Sequence, residues 1–127
     1  MKFLCVGYYD QEKMDALSET QVDAIMSACP PFMEEFYDSG KVFLVAGTDS
    51  EAKVMRRVGA EVKISDNPKR GRDQTIGCVF LVEARDIADA IQVASLHPTT
   101  RIGAGEKLGW NIGISPVHYF DERELKK

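Results

Sequence analysis

The stretch that decides the fold of this chain is Thr75–Pro98, which reads TIGCVFLVEARDIADAIQVASLHP. Its first part, Ile76–Val82, is apolar at every position. A strand with one wet face would alternate polar and apolar residues, so this pattern predicts a strand covered on both faces. Phe3–Tyr9 has the same composition. Two such strands require helices on one face of a sheet and a further covering on the other.

The second part of the stretch predicts an amphipathic helix. Asp86 is in the position of an N-cap, and His97-Pro98 is expected to end the helix, because the residue before a proline disfavours helical dihedrals. The expected core stripe is formed by Ile87, Ala90, Ile91 and Ala94.

Upstream, a first helix has clear sequence signals. Ser18 and Gln21 have the spacing of a capping box. Pro30-Pro31 interrupts the helical pattern, since an interior proline removes a hydrogen bond and costs about 3 kcal/mol. We therefore expect a kink or a restart, with Pro31 near the first turn of the second segment and Gly40 as a C-cap.

The remaining elements follow from local patterns. A second strand is predicted at Val42–Ala46, and a hairpin with one wet face at Lys53–Ser65 around Gly59. Thr99–Gly109 reads as a glycine-containing loop, with its last part a possible lid over a pocket, and Trp110–Tyr119 as the last strand. Residues 1–120 are expected to form one domain, followed by a charged C-terminal tail at 121–127.

This order of elements predicts an α+β fold, a ferredoxin-like sandwich (βαββαβ with an inserted β-hairpin) around an antiparallel sheet. Both helices would cover one face of the sheet. The other face would expose more aliphatic surface than monomers tolerate, so we expect a homodimer that packs sheet against sheet.

Composition excludes several classes of function. The net charge of −4 argues against a nucleic-acid binder. No apolar run approaches the roughly 20 residues of a membrane span, and the N-terminus reads as a strand rather than a signal peptide, so we predict no membrane partner and a cytoplasmic location. Cys5, Cys29 and Cys78 are too scattered for a disulfide framework or a zinc site. No metal or cofactor is expected.

Several side chains are candidates for chemistry. Asp66 follows the hairpin and could act as a general base if burial raised its pKa, or it could form an ordinary turn. Arg70 and Arg72 could recognise an anion, or belong to a solvated loop. His97 could transfer protons, or interact as a partly protonated imidazole with the carbonyl end of a helix. The proposed binding set is completed by Tyr8, Tyr9 and Trp110, where aromatic rings could line a pocket or only pack in the core.

Four segments, MKFLCVGYYDQEK, EEFYDSGKV, SDNP and GCVFLVEARDIADAIQVASLHP, resemble the YCII-related family, specifically its DGPF-type members. The resemblance extends from Met1 to about Val117. It implies a dimeric α+β barrel on the ferredoxin-like fold and places the family's acidic turn position at Asp66. Some relatives resemble small enzymes acting on aromatic or chlorinated intermediates, and others accompany regulatory proteins.

The chain departs from that family at several positions. The Asp-Gly-Pro-Phe turn is here Asp66-Asn67-Pro68-Lys69, and Gly113 and Ser115 stand where relatives carry a glutamate and an arginine. The first-helix histidine of the family's proposed His–Asp dyad is absent near Pro30. That dyad cannot operate in this chain.

Two functions stay open at this point. One is a small cofactor-free enzyme acting on a small aromatic or anionic molecule with Asp66 as acid or base. The other is a non-catalytic ligand-binding or regulatory module on the same dimeric scaffold. A cofactor-independent monooxygenase of a related dimeric barrel is a weaker third.

Overall fold

The computed structural model describes residues 1–66 and 74–126 of the chain. Its strands are β1 (Lys2–Tyr9), β2 (Val42–Gly47), β3 (Val54–Val58), β4 (Glu61–Ser65), β5 (Thr75–Glu83) and β6 (Asn111–Pro116). Its helices are α1 (Gln11–Asp15), α2 (Glu19–Ser27), α3 (Cys29–Asp38), α4 (Ile87–Ala94), α5 (Pro98–Arg101) and α6 (Ala104–Lys107).

Four strands form the main sheet in the order β2-β5-β1-β6, and every neighbouring pair is antiparallel. The two strands that the sequence marks as most apolar, β1 and β5, are therefore the central pair. β3 and β4 form a separate two-stranded hairpin. This is the ferredoxin-like α+β arrangement with an inserted hairpin, and the predicted fold class is confirmed.

The core lies between one face of the sheet and helices α3 and α4. Phe3 and Cys5 of β1 and Phe80 of β5 are buried there with Phe36 of α3. The Phe36 ring meets Phe80 edge-on at a centroid distance of 4.9 Å. Truncation of a buried aromatic residue of this kind typically costs about 3–5 kcal/mol.

The helix boundaries follow the capping signals. Ser18 Oγ accepts a hydrogen bond from the Gln21 amide at 3.1 Å, and the Ser18 amide donates to Gln21 Oε1 at 2.8 Å, so the capping box is confirmed. The helix breaks at Ala28 and restarts with both prolines in the first turn of α3. Proline is tolerated at this place because first-turn amides have no partner within the helix.

The predicted stripe on α4 is partly wrong. Ile87 and Ile91 are 44% and 52% exposed, and the buried side is Ala90, Val93 and Ala94. These residues are spaced i, i+3, i+4, and their small side chains allow the helix to lie close to the sheet. Thr99–Gly109 is also not a plain loop, since α5 and α6 lie within it. The last strand is shorter than predicted.

Apolar side chains stay exposed away from the core. Leu81 of β5 lies between its two cross-strand partners, Leu4 of β1 and Leu44 of β2. Leu4 is 37% exposed and Leu44 is 45% exposed. On the hairpin, Met55 lies opposite Ile64, and both are at least 65% exposed. The hairpin was expected to bury one face, but these side chains find no cover within the described chain.

In the described part of the chain, no helix has the length and apolar content that crossing a membrane requires.

Candidate functional site

A cavity of about 680 Å³ opens where β1 and β5 approach α2, α3 and the turn before α5. We call it the Tyr9–His97 cavity. Its volume is in the range typical of small-molecule sites. It is lined by Gly7, Tyr8, Tyr9, Gln11, Met14, Asp15, Val22, Met26, Cys29, Met33, Thr48, Asp49, Ser50, Gly77, Cys78, His97, Pro98, Thr99 and Trp110.

His97 is held in this wall by three contacts, two from Thr99 and one from Phe80. Its Nδ1 accepts a hydrogen bond from the Thr99 backbone amide at 3.1 Å, and Thr99 Oγ1 lies 2.7 Å from the same nitrogen. The ring stacks on Phe80 with centroids 4.9 Å apart and planes at 12°. The imidazole is therefore fixed in position and orientation.

The charge state of His97 is set by its burial. The residue is 8% exposed, and desolvation lowers its pKa from 6.5 to about 4. His97 is thus neutral near pH 7. The interpretation of a partly protonated imidazole at a helix C-terminus is wrong, because the side chain caps the N-terminus of α5 instead.

The thiol of Cys78 lies beside this histidine, and the thiol of Cys5 interacts in turn with that of Cys78. Cys78 Sγ is 4.0 Å from His97 Nε2, and a Cβ on Gly7 would lie only 2.5 Å from that sulfur, so a side chain there would displace it. Burial raises the pKa of Cys78, and burial together with Cys78 raises the pKa of Cys5 to about 11. Both are protonated at neutral pH and are poor nucleophiles.

A hydrogen-bond chain forms another part of the wall. Tyr9 Oη donates to Gln11 Oε1 at 2.7 Å, and Gln11 Nε2 donates to Asp15 Oδ1 at 2.6 Å. Burial is the main cause that raises the pKa of Tyr9, followed by the charges of Asp15 and Asp49. The phenol therefore keeps its proton.

Trp110 lines the cavity just before β6 and packs on α6. A Cβ on Gly105 would lie 2.8 Å from the indole Cε3, so only glycine admits the ring this closely. Of the predicted binding residues, the cavity brings together Tyr8, Tyr9, His97 and Trp110.

Asp66 lies outside this cavity. It forms an ion pair with Lys53, and its side chain is 77% exposed. It lines a neighbouring open depression, whose wall also includes Asp15 and Asp49. A carboxylate this exposed is not desolvated by the protein, and the catalytic role of Asp66 stays a prediction. Arg70 and Arg72 lie outside the described residues.

The sequence did not single out several lining residues. Met26, Cys29 and Met33 have the approximate spacing of one apolar helix face, which is typical of core packing, yet they also line the cavity. Gln11 and Asp15 are four residues apart, and Gln11 comes two residues after Tyr9. The i, i+4 spacing of Gln11 and Asp15 was the available signal for the hydrogen-bond chain. Among residues 1–66 and 74–126, no group of three or more His, Cys, Asp or Glu side chains could hold a metal ion.

Comparison with known proteins bears on the family and the fold. A search of curated proteins finds no match. Among solved structures, the chain is similar to 5-chloro-2-hydroxyhydroquinone dehydrochlorinase (TftG) from Burkholderia phenoliruptrix AC1100, in complex with 2,5-dihydroxybenzoquinone. The TM-score is 0.50 at 13% identity, over 94% of this chain and 96% of that chain. This likeness supports the ferredoxin-like fold. The model of the YCII-related domain matches residues 1–109, and the chain therefore belongs to the YCII-related family.

Proposed function

We propose that this protein is a small-molecule enzyme and that the Tyr9–His97 cavity is its substrate site. The observation that carries the proposal is the composition of the wall, in which thioether, thiol and aromatic side chains surround a few oriented polar groups. Such walls are typical of sites for small organic ligands. The protein of similar fold is named as a dehydrochlorinase and is in complex with a ring compound, which supports the same class of function here.

For acid–base chemistry we assign the base to the cavity's carboxylates, Asp15 and Asp49, in preference to Asp66. Both influence the protonation of Tyr9, and both line the cavity as well as the neighbouring depression. A carboxylate within hydrogen-bond reach of a bound molecule can remove a proton from it, and typically contributes about 10²–10⁴-fold to rate. His97 Nε2 would hold an oxygen of that molecule.

A non-catalytic ligand-binding module is the second candidate, and one observation favours it. Several polar groups of the wall are already bonded to each other, since Tyr9, Gln11 and Asp15 form a hydrogen-bond chain and His97 Nδ1 is occupied by Thr99. A wall with such mutually bonded groups can bind a ligand without taking part in a reaction.

Blocking the cavity tests the proposal. Val22→Phe places a larger side chain on the α2 part of the wall, and Ala24→Phe adds the same ring on an exposed, non-lining position of the same helix. We expect a panel of monocyclic phenols and benzamides to shift amide NMR signals of cavity residues in the parent protein and in Ala24→Phe, but not in Val22→Phe. Equal shifts in both variants would contradict the assignment of the site. Product formation from a bound compound would identify an enzyme, and binding without turnover across the panel would favour the module.

A further inference from the structure

The hydrogen-bond chain at Tyr9 determines whether that side of the cavity offers a ligand a hydrogen-bond donor or an acceptor. An ionised Asp15 carboxylate can only accept, so the Gln11 amide must turn its NH₂ toward Asp15 and its carbonyl oxygen toward Tyr9. The Tyr9 proton is consequently committed to Gln11. The lone pairs on Tyr9 Oη are what remains for a ligand, and this hydroxyl acts as an acceptor.

His97 offers a ligand a hydrogen-bond donor, and the cause is again found in residues adjacent in sequence. Pro98 has no amide hydrogen, so the first free donor of α5 is the Thr99 amide, and it donates to His97 Nδ1. An amide cannot accept, so Nδ1 carries no proton, and the neutral ring must carry it on Nε2. The nearest partner of Nε2 is the thiol of Cys78 at 4.0 Å, a weak acceptor. The Nε2–H group is thus an oriented donor with a weak partner.

Charge adds a further restriction. The cavity wall contains Asp15 and Asp49, and none of its described residues is a lysine or arginine. An anion would therefore meet carboxylates without a described cation to pair with, in a wall rich in apolar side chains where any charge is poorly solvated.

Together these observations define a ligand class. We infer that the Tyr9–His97 cavity selects an uncharged organic molecule that offers an acceptor oxygen to His97 Nε2–H and a hydroxyl or amide donor to Tyr9 Oη. This inference rests on the proposed use of the cavity as a binding site. It differs from the expectation of an anionic ligand held by arginines.

A pair of probes with the same shape tests the inference. 4-Hydroxybenzamide is uncharged at pH 7.5 and has both an acceptor and donors, whereas 4-hydroxybenzoate carries a negative charge in the same outline. We expect the amide to bind at least tenfold more tightly than the carboxylate, measured by NMR titration of the full chain. Equal or tighter binding of the carboxylate would overturn the ligand class while leaving the cavity as a site.

Matched variants assign the two polar contacts. His97→Phe keeps an aromatic ring against Phe80 but removes the donor, and His118→Phe is the control at an exposed histidine. Tyr9→Phe removes the acceptor, and Tyr37→Phe is the control at a half-exposed tyrosine. Each cavity variant should weaken 4-hydroxybenzamide binding about tenfold, and each control should leave it unchanged. Unchanged affinity in either cavity variant would overturn the corresponding contact.

The tautomer of His97 gives a readout that does not depend on any ligand. Nitrogen-15 NMR of the protein without ligand should show a protonated Nε2 and an unprotonated Nδ1 at pH 7. The opposite tautomer, or a doubly protonated ring, would overturn the inference even if probes bind. If the expected tautomer is found and neither probe shifts any cavity signal, the proposed function and the ligand class both fail.

Discussion

His97 links a single side chain to the pH dependence of folding. Its pKa is lowered by burial from 6.5 to about 4 in the folded chain. Between these values the unfolded chain binds a proton that the folded chain does not, so stability must fall as the pH is lowered. We expect His97 to account for a loss of roughly 3 kcal/mol across that range. Urea unfolding at pH 7.5 and pH 4.5 measures it.

The variant His97→Phe isolates this contribution. Folding lowers the pKa of some acidic groups, such as Glu83 and Asp89, and these groups also reduce the stability of the protein at low pH. Their contribution is the same in the parent and in the variant, so it cancels in the difference between the two proteins. The variant should lose less stability on acidification than the parent does. Parallel pH dependences of the two proteins would refute the burial of a neutral imidazole.

At the scale of elements, the packing of α6 on the start of β6 depends on one glycine. A Cβ at position 105 would lie 2.8 Å from the Trp110 ring and 3.2 Å from the Thr99 carbonyl oxygen. We expect Gly105→Ala to destabilise the protein by about 1–3 kcal/mol, the usual cost of overpacking. The chain has one tryptophan, so its fluorescence spectrum should shift as the ring moves.

A second glycine beside the same helix is the control. Gly103 has helical dihedrals, and a Cβ there would meet no atom within 4 Å. Gly103→Ala should therefore be neutral or slightly stabilising, and it should leave the Trp110 spectrum unchanged. Equal destabilisation by both substitutions would show that contact with Trp110 does not determine the cost.

For the whole molecule, the main uncovered apolar surface is the face of the sheet opposite the core. Leu4 and Leu44 both lie next to Leu81 on this face, and both are more than one-third exposed. The predicted homodimer would bury them. We expect sedimentation to give a dimer at micromolar concentration and Leu44→Glu to shift it toward monomer.

Ile91→Glu is the matched control for the dimer. Ile91 is 52% exposed, similar to the 45% of Leu44, but it lies on the helical side of the molecule. The control should sediment like the parent protein. A monomeric parent, or equal dissociation by both variants, would show that the two chains do not meet through the sheet.

Local chemistry explains why much of the fold could be predicted. Saturated apolar runs mark β1 and β5 as the central pair of the sheet, and Ser18 with Gln21 forms a capping box from residues three apart. Prediction failed at Ile87 and Ile91, because the choice between two apolar sides of a short helix depends on how closely its backbone approaches the sheet. That distance is a tertiary property.

The sequence by itself determined the two central strands and the N-caps of α2 and α4, since each depends on residues that are near neighbours in the chain. The tertiary structure alone decided the composition of the site. Strand pairing and the chain reversal before α5 place Cys78 next to His97, 19 residues later, and they leave Asp66 at an exposed edge with Lys53. The pKa of His97 likewise depends on burial by Phe36 and Phe80, because desolvation arises from atoms distant in sequence.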